Sequence, residues 1–117
     1  MIDVNLLSKI CEIPGAPGFE DRIRKFVMNQ VKDHVDEITI DAMGNVLAVK
    51  KGLKDKKVMV AAHMDEIAFI VTHIDDEGFI RFHPLGGFDP KTLTAQRVLV
   101  HGKEDIIGVM GCKPVHL

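Results

Sequence analysis

The run Val58-Met59-Val60-Ala61-Ala62 constrains this chain more than any other stretch, because unbroken apolar sequence of that length suits a strand covered on both faces. It follows directly on the charges of Lys54, Asp55, Lys56 and Lys57, and it ends at once in His63, Asp65 and Glu66. A central strand is therefore expected, with its polar carboxyl end at the sheet edge where open α/β folds bind ligands. His63 and Asp65 are two apart, so an extended chain presents both on one face. That spacing suits an imidazole binding a metal through one nitrogen while a carboxylate orients it from behind. On these residues alone a second reading stands beside it, in which His63 caps a strand and Asp65 and Glu66 open a solvated turn.

Composition limits what such a site can be. With 117 residues, 46% hydrophobic and 27% charged, the chain has the length of one globular domain with a core of its own. A net charge of -2 and the absence of Trp and Tyr argue against a nucleic-acid partner. No apolar stretch approaches a membrane span, and the first residues lack the pattern of a signal peptide, so no membrane partner is expected. Cys11 and Cys112 have no metal-site spacing and fit a reduced, cytoplasmic setting as small apolar residues.

Taken in order, Asp3 is the expected N-cap of a short helix with Val4, Leu7, Ile10 and Cys11 at helical spacing, ending at Pro14-Gly15. Glu20 and Asp21 open a second helix whose buried stripe is Ile23, Phe26, Val27 and Val31, fading by His34. From Val35 the period becomes two. Ile38 and Ile40 lead into a hairpin or bulged turn at Asp41-Ala42-Met43-Gly44-Asn45, and Val46 to Val49 return. Lys50 to Lys57 is a basic surface loop. After Glu66 only strands are expected: Ile67 to Ile74, then Phe79 to Phe82 before Pro84 breaks the run, then Gln96 to His101 with Ile106 to Met110. The acidic turn Asp75-Asp76-Glu77-Gly78 lacks the extended ligand spacing of a calcium loop.

Four motifs fall in order: Pro14-Gly15-Ala16-Pro17-Gly18-Phe19-Glu20, Asp41-Ala42-Met43-Gly44-Asn45, Ala62-His63-Met64-Asp65-Glu66-Ile67 and Gly111-Cys112-Lys113-Pro114-Val115-His116-Leu117. With them the whole chain resembles the amino-terminal portion of the self-compartmentalising tetrahedral aminopeptidases, the glutamyl and deblocking enzymes with some endoglucanase-named relatives. Ala68 stands where that family usually has Gly. The resemblance implies an α/β fold: a partial zinc-exopeptidase-like catalytic half over residues 1–66, followed at 67–117 by an incomplete β-barrel-like insert that organises dimers and larger assemblies. It implies His63 as a ligand to one of two divalent ions, zinc or cobalt, and Asp65 as the active-site carboxylate behind it. It places the general base and the remaining ligands in later segments, beyond position 117, so this chain is expected to bind metal weakly and at a single site at most.

For His73, His83, His101 and His116, scattered over the β-rich part, no ligand role is expected. Glu66 is expected to be solvated or hydrogen-bonded at the junction. Two functions of different class follow. One is the amino-terminal portion of a metal-dependent aminopeptidase acting on peptides and working as a homo-oligomer. The other is a non-catalytic folding and oligomerising module. A glycoside hydrolase would need a facing carboxylic acid pair, and none can be placed.

Overall fold

In the computed structural model, residues 3–111 are described, and they form an α/β chain of two helices followed by strands. By contact the chain divides into two compact units, one up to Leu85 and one from Gly86. The boundary expected after Glu66 from the resemblance thus lies inside the first unit.

Helix α1 (Val4–Glu12) begins where Asp3 accepts hydrogen bonds from the N–H groups of Asn5 and Leu6, at 3.0 and 3.2 Å, as expected of an N-cap. Helix α2 (Asp21–Val31) buries Ile23, with Phe26, Val27 and Val31 half-buried on the same stripe. Strands β1 (Glu37–Ile40) and β2 (Val46–Val49) pair antiparallel, and α2 touches β2. Strands β3 (Ala68–Ile74) and β4 (Ile80–Leu85) form a second antiparallel pair with a bulge between Val71 and His73. Phe69 and Phe82 meet across it edge to face, with ring centres 4.9 Å apart. Pro84 does not end this strand; it pairs opposite Phe69 in a two-stranded sheet, where an edge position needs no N–H.

The turns of these first two hairpins are built alike. Asp41 and Asp75 each accept from two backbone N–H groups, those of Met43 and Asn45 at 2.9 Å, and those of Glu77 and Phe79 at 3.1 and 2.8 Å. In both, the glycine three residues on takes a positive φ of 86° and returns a hydrogen bond to the aspartate carbonyl. This is a type I turn closed by a left-handed glycine, and the sequence pattern Asp-x-x-Gly encodes it twice. Asp75 therefore serves the backbone.

The second unit holds a 3-10 turn (Pro90–Leu93), capped by Asp89, and the antiparallel pair β5 (Arg97–His101) and β6 (Asp105–Val109). The three sheets are all two-stranded, and the described residues close no barrel.

Three further expectations are corrected. Residues 58–62 pair with no strand among the described residues; Val58, Met59 and Val60 are about nine-tenths exposed, at 89%, 89% and 91%. The central-strand pattern is present, but the strands needed to cover and pair it are not. Nor does the chain have a core of its own, since its only buried hydrophobic side chains among the described residues are Ile23 and Met110. Its accessible surface is 10624 Å². A compact chain of this mass would expose roughly 6,300 Å², and two separately compacted bodies of the two units' lengths roughly 7,500 Å². Cys11 is exposed rather than packed.

Two carboxylates tie the first hairpin together at its ends. Asp36 accepts from the Lys51 N–H at 2.6 Å, which with the charges of Lys50 and Lys51 holds its carboxyl below the ordinary 3.8. Asp41 is held below 3.8 first by the Asn45 side-chain amide, at 2.8 Å, and then by backbone N–H groups of the turn. Because both folded values are depressed, their contribution is complete above the unfolded value and is lost as pH falls through the folded ones. Backbone N–H groups of Met43, Asn45 and Lys51 should therefore keep their exchange protection down to about pH 4 and lose it below, measured by NMR between pH 6 and 2. Asp41→Asn should flatten that dependence at Met43 and Asn45 only.

Candidate active site

The turn after α1 is pressed against the segment that follows the exposed run. Gly15 donates its N–H to Glu66 Oε1 at 3.0 Å and accepts the Glu66 N–H at 2.9 Å. No side chain fits at Gly15: a Cβ there would lie 2.9 Å from Ile23 Cγ2 and 3.0 Å from the Met64 carbonyl oxygen. Glu66, expected to be solvated or hydrogen-bonded, is thus a backbone staple. On the other side, Arg24 donates from Nε to the Gly44 carbonyl at 2.8 Å, and its terminal nitrogens reach Glu20 at 3.3 Å and Asp21. Glu20 in turn accepts the Gly18 N–H at 2.6 Å.

These ties bring three of the four motifs together. Glu20, Met43, Gly44, Asn45, Ala62, His63, Met64 and Asp65 line one shallow open cleft of about 120 Å³. The fourth motif lies outside the described residues from Cys112 onward, as does His116.

On the cleft wall, His63 Nδ1 lies 3.1 Å from Asp65 Oδ1 and 3.0 Å from the Asp65 carbonyl oxygen. Both are acceptors, so the neutral imidazole carries its proton on Nδ1 and leaves the lone pair on Nε2. The His63 side chain is 86% exposed, which keeps Nε2 accessible. This is the tautomer and orientation a metal-binding histidine has when a carboxylate fixes it from behind.

The donor set stops there. Among the described residues no three His, Cys, Asp or Glu side chains converge as a metal site would require. His34, His73 and His83 are exposed and apart from the cleft lining, and His101 pairs with Asp105 at 3.0 Å in the other unit. Arg24 escaped the sequence reading, although its signal was present: an arginine three and four residues after Asp21 and Glu20 on one helix face.

Residues 44–117 match the M42 glutamyl aminopeptidase family. The chain belongs to that family. Its relatives include a lysyl aminopeptidase of Pyrococcus furiosus, 47% identical over 100% of this chain and 34% of that protein. Among solved structures it is similar to an aminopeptidase of the archaeon Desulfurococcus kamchatkensis, at a TM-score of 0.88 and 41% identity over 97% of this chain and 32% of that one. It is also similar to the Pyrococcus horikoshii TET1 peptidase, at a TM-score of 0.82 and 38% identity over 97% of this chain and 34% of that one. The latter is described as assembling into a tetrahedron or a large octahedral shell. The chain thus spans about a third of the length of the M42 relatives it matches. Among the described residues, no helix is long and apolar enough to cross a membrane.

Proposed function

We propose that this chain supplies the amino-terminal portion of an M42 metal-dependent aminopeptidase, which removes amino-terminal residues from peptides and works as a homo-oligomer in the cytoplasm. The observation that carries the proposal is the His63–Asp65 pair, oriented with Nε2 free at the cleft where three family motifs meet. His63 would hold one of two divalent ions, zinc or cobalt, and Asp65 would fix its ring. When bound, the paired ions would anchor the peptide's free amino end and activate water. What the chain's own residues do is narrower. Asp65 keeps the proton on Nδ1, Glu66 and Gly15 fix the segment in place, and the Asp41–Asn45 turn forms the facing wall.

Further ligands and the proton-transferring glutamate would come from sequence corresponding to the rest of its relatives. That same sequence would pair with residues 58–62 and cover the exposed apolar surface. The β-rich residues from Ile67 onward would belong to a β-barrel-like insert that organises the assembly, as the TET1 relative's shell suggests.

The test is reconstitution. The 117-residue chain alone, purified and supplied with zinc or cobalt, should not hydrolyse amino-acyl amides. Combined with the later two-thirds of an M42 relative, or extended by it, the chain should give chelator-sensitive turnover and sediment as an oligomer. Turnover by the chain alone that disappears with His63→Ala would overturn the division of ligands. An extended chain that folds and assembles without ever turning over would favour the non-catalytic module.

A further inference from the structure

The two walls of the cleft are both registered on one helix, through consecutive residues. Ile23, the one buried side chain of α2, lies against Gly15, which is hydrogen-bonded twice to Glu66 beside the His63–Asp65 wall. Arg24 reaches the other wall, where it donates to the Gly44 carbonyl in the turn that contributes Met43, Gly44 and Asn45 to the lining. The arginine side chain is only 15% exposed and also holds Glu20, which lines the cleft itself and is 20% exposed. Its guanidinium therefore bonds two cleft residues at once, besides exposed Asp21 on its own helix, in a place partly shielded from solvent. Gly44 fits the guanidinium closely: a Cβ at that position would lie 2.6 Å from an Arg24 terminal nitrogen.

We infer that Arg24 is a positioning residue that sets the separation of the Met43–Asn45 wall from the His63–Asp65 wall. An arginine whose Nε and terminal nitrogens each reach a different acceptor does this better than a lysine, because its planar donors fix direction as well as distance, whereas an ammonium is a point charge on a flexible stem. Ridges set by neighbouring residues of one helix move together, so the gap between the walls is held even though little else in this unit is buried. The consequence for substrate rests on the peptidase function proposed above: the gap governs how closely a peptide's amino end approaches His63. The registration of the walls does not rest on it.

Two arms test the inference separately. In the full chain, cross-relaxation between the Met43 methyl group and the His63 ring protons is read by NMR, with that between the Met64 methyl group and the same ring as reference. Arg24→Ala should change the effect at Met43 and leave Met64 unaltered. Arg24→Lys should recover thermal stability without recovering the Met43 value. An unchanged Met43 value in Arg24→Ala overturns the inference, whatever the activity.

In the reconstituted enzyme, Arg24→Ala should raise KM about tenfold with kcat within about threefold and unaltered metal content, as misplacement of a binding wall does. A Met43 change without any change in KM supports the spacing of the walls by Arg24 and overturns its consequence for substrate approach. If the wild-type reconstituted enzyme has no activity, the peptidase function falls, while the relaxation arm still decides whether Arg24 spaces the walls.

Discussion

Replacing His63 with alanine is expected to abolish metal-dependent turnover by the completed aminopeptidase while leaving the structure of this chain unchanged. The side chain is 86% exposed and its hydrogen bonds run only to Asp65, so its removal opens no cavity and strands no buried group. Surface substitutions of that kind alter stability by within about 0.5 kcal/mol. What is lost is the lone pair on Nε2, and a metal pair that lacks one protein ligand no longer holds its geometry. Asp65→Asn tests the supporting half of the pair. It should lower metal affinity on the order of 10 to 100-fold, the usual size for a partner that orients a ligand. Both are checked by metal titration and by hydrolysis of amino-acyl amides. Normal metal content and turnover in His63→Ala would remove the residue from the site altogether. Loss of folding in Asp65→Asn at unaltered metal affinity would make Asp65 a structural residue.

Gly15→Ala is expected to detach the His63-bearing segment from α2 without touching His63. The new Cβ would sit 2.9 Å from Ile23 Cγ2 and 3.0 Å from the Met64 carbonyl, and neither position is the free end of a flexible side chain. Overpacking of this sort costs about 1–3 kcal/mol. If the segment yields instead, both hydrogen bonds between Gly15 and Glu66 go, at about 1 kcal/mol each. Either way the local cost is about 1–3 kcal/mol. Hydrogen exchange at the Glu66 N–H should accelerate by roughly 5-fold to 150-fold, the equivalent of that cost at 1.36 kcal/mol per decade. Gly52→Ala is the control, because nothing lies within 4 Å of a Cβ there. Equal exchange rates in the wild-type chain and Gly15→Ala would mean the staple carries no weight.

Much of the local structure was written in the sequence, because it depends on neighbours along the chain. Asp3 caps α1, the apolar spacing of Ile23, Phe26, Val27 and Val31 gives α2 its inner face, and Asp41 with Gly44 closes a hairpin in the manner the residues require. His63 and Asp65 meet because two residues in extended backbone share a face. None of these needs a distant partner.

Burial does need one, and there the pattern alone misled. Val58 to Ala62 reads as the centre of a sheet, yet an apolar run becomes a buried strand only when other strands and helices lie against it, and here it is open to solvent. Pro84 likewise reads as a break, whereas a strand bonded on one side tolerates it. The convergence of the three motifs on one cleft, the fit of Gly15 beneath Met64, and Arg24 tying Gly44 to Glu20 were decided by tertiary structure. They join residues from 20 to 51 positions apart, and no periodicity reports a contact across that distance. The sequence by itself determined that His63 and Asp65 share a face and which turns would form; only the packing around α2 decided that they line one cleft.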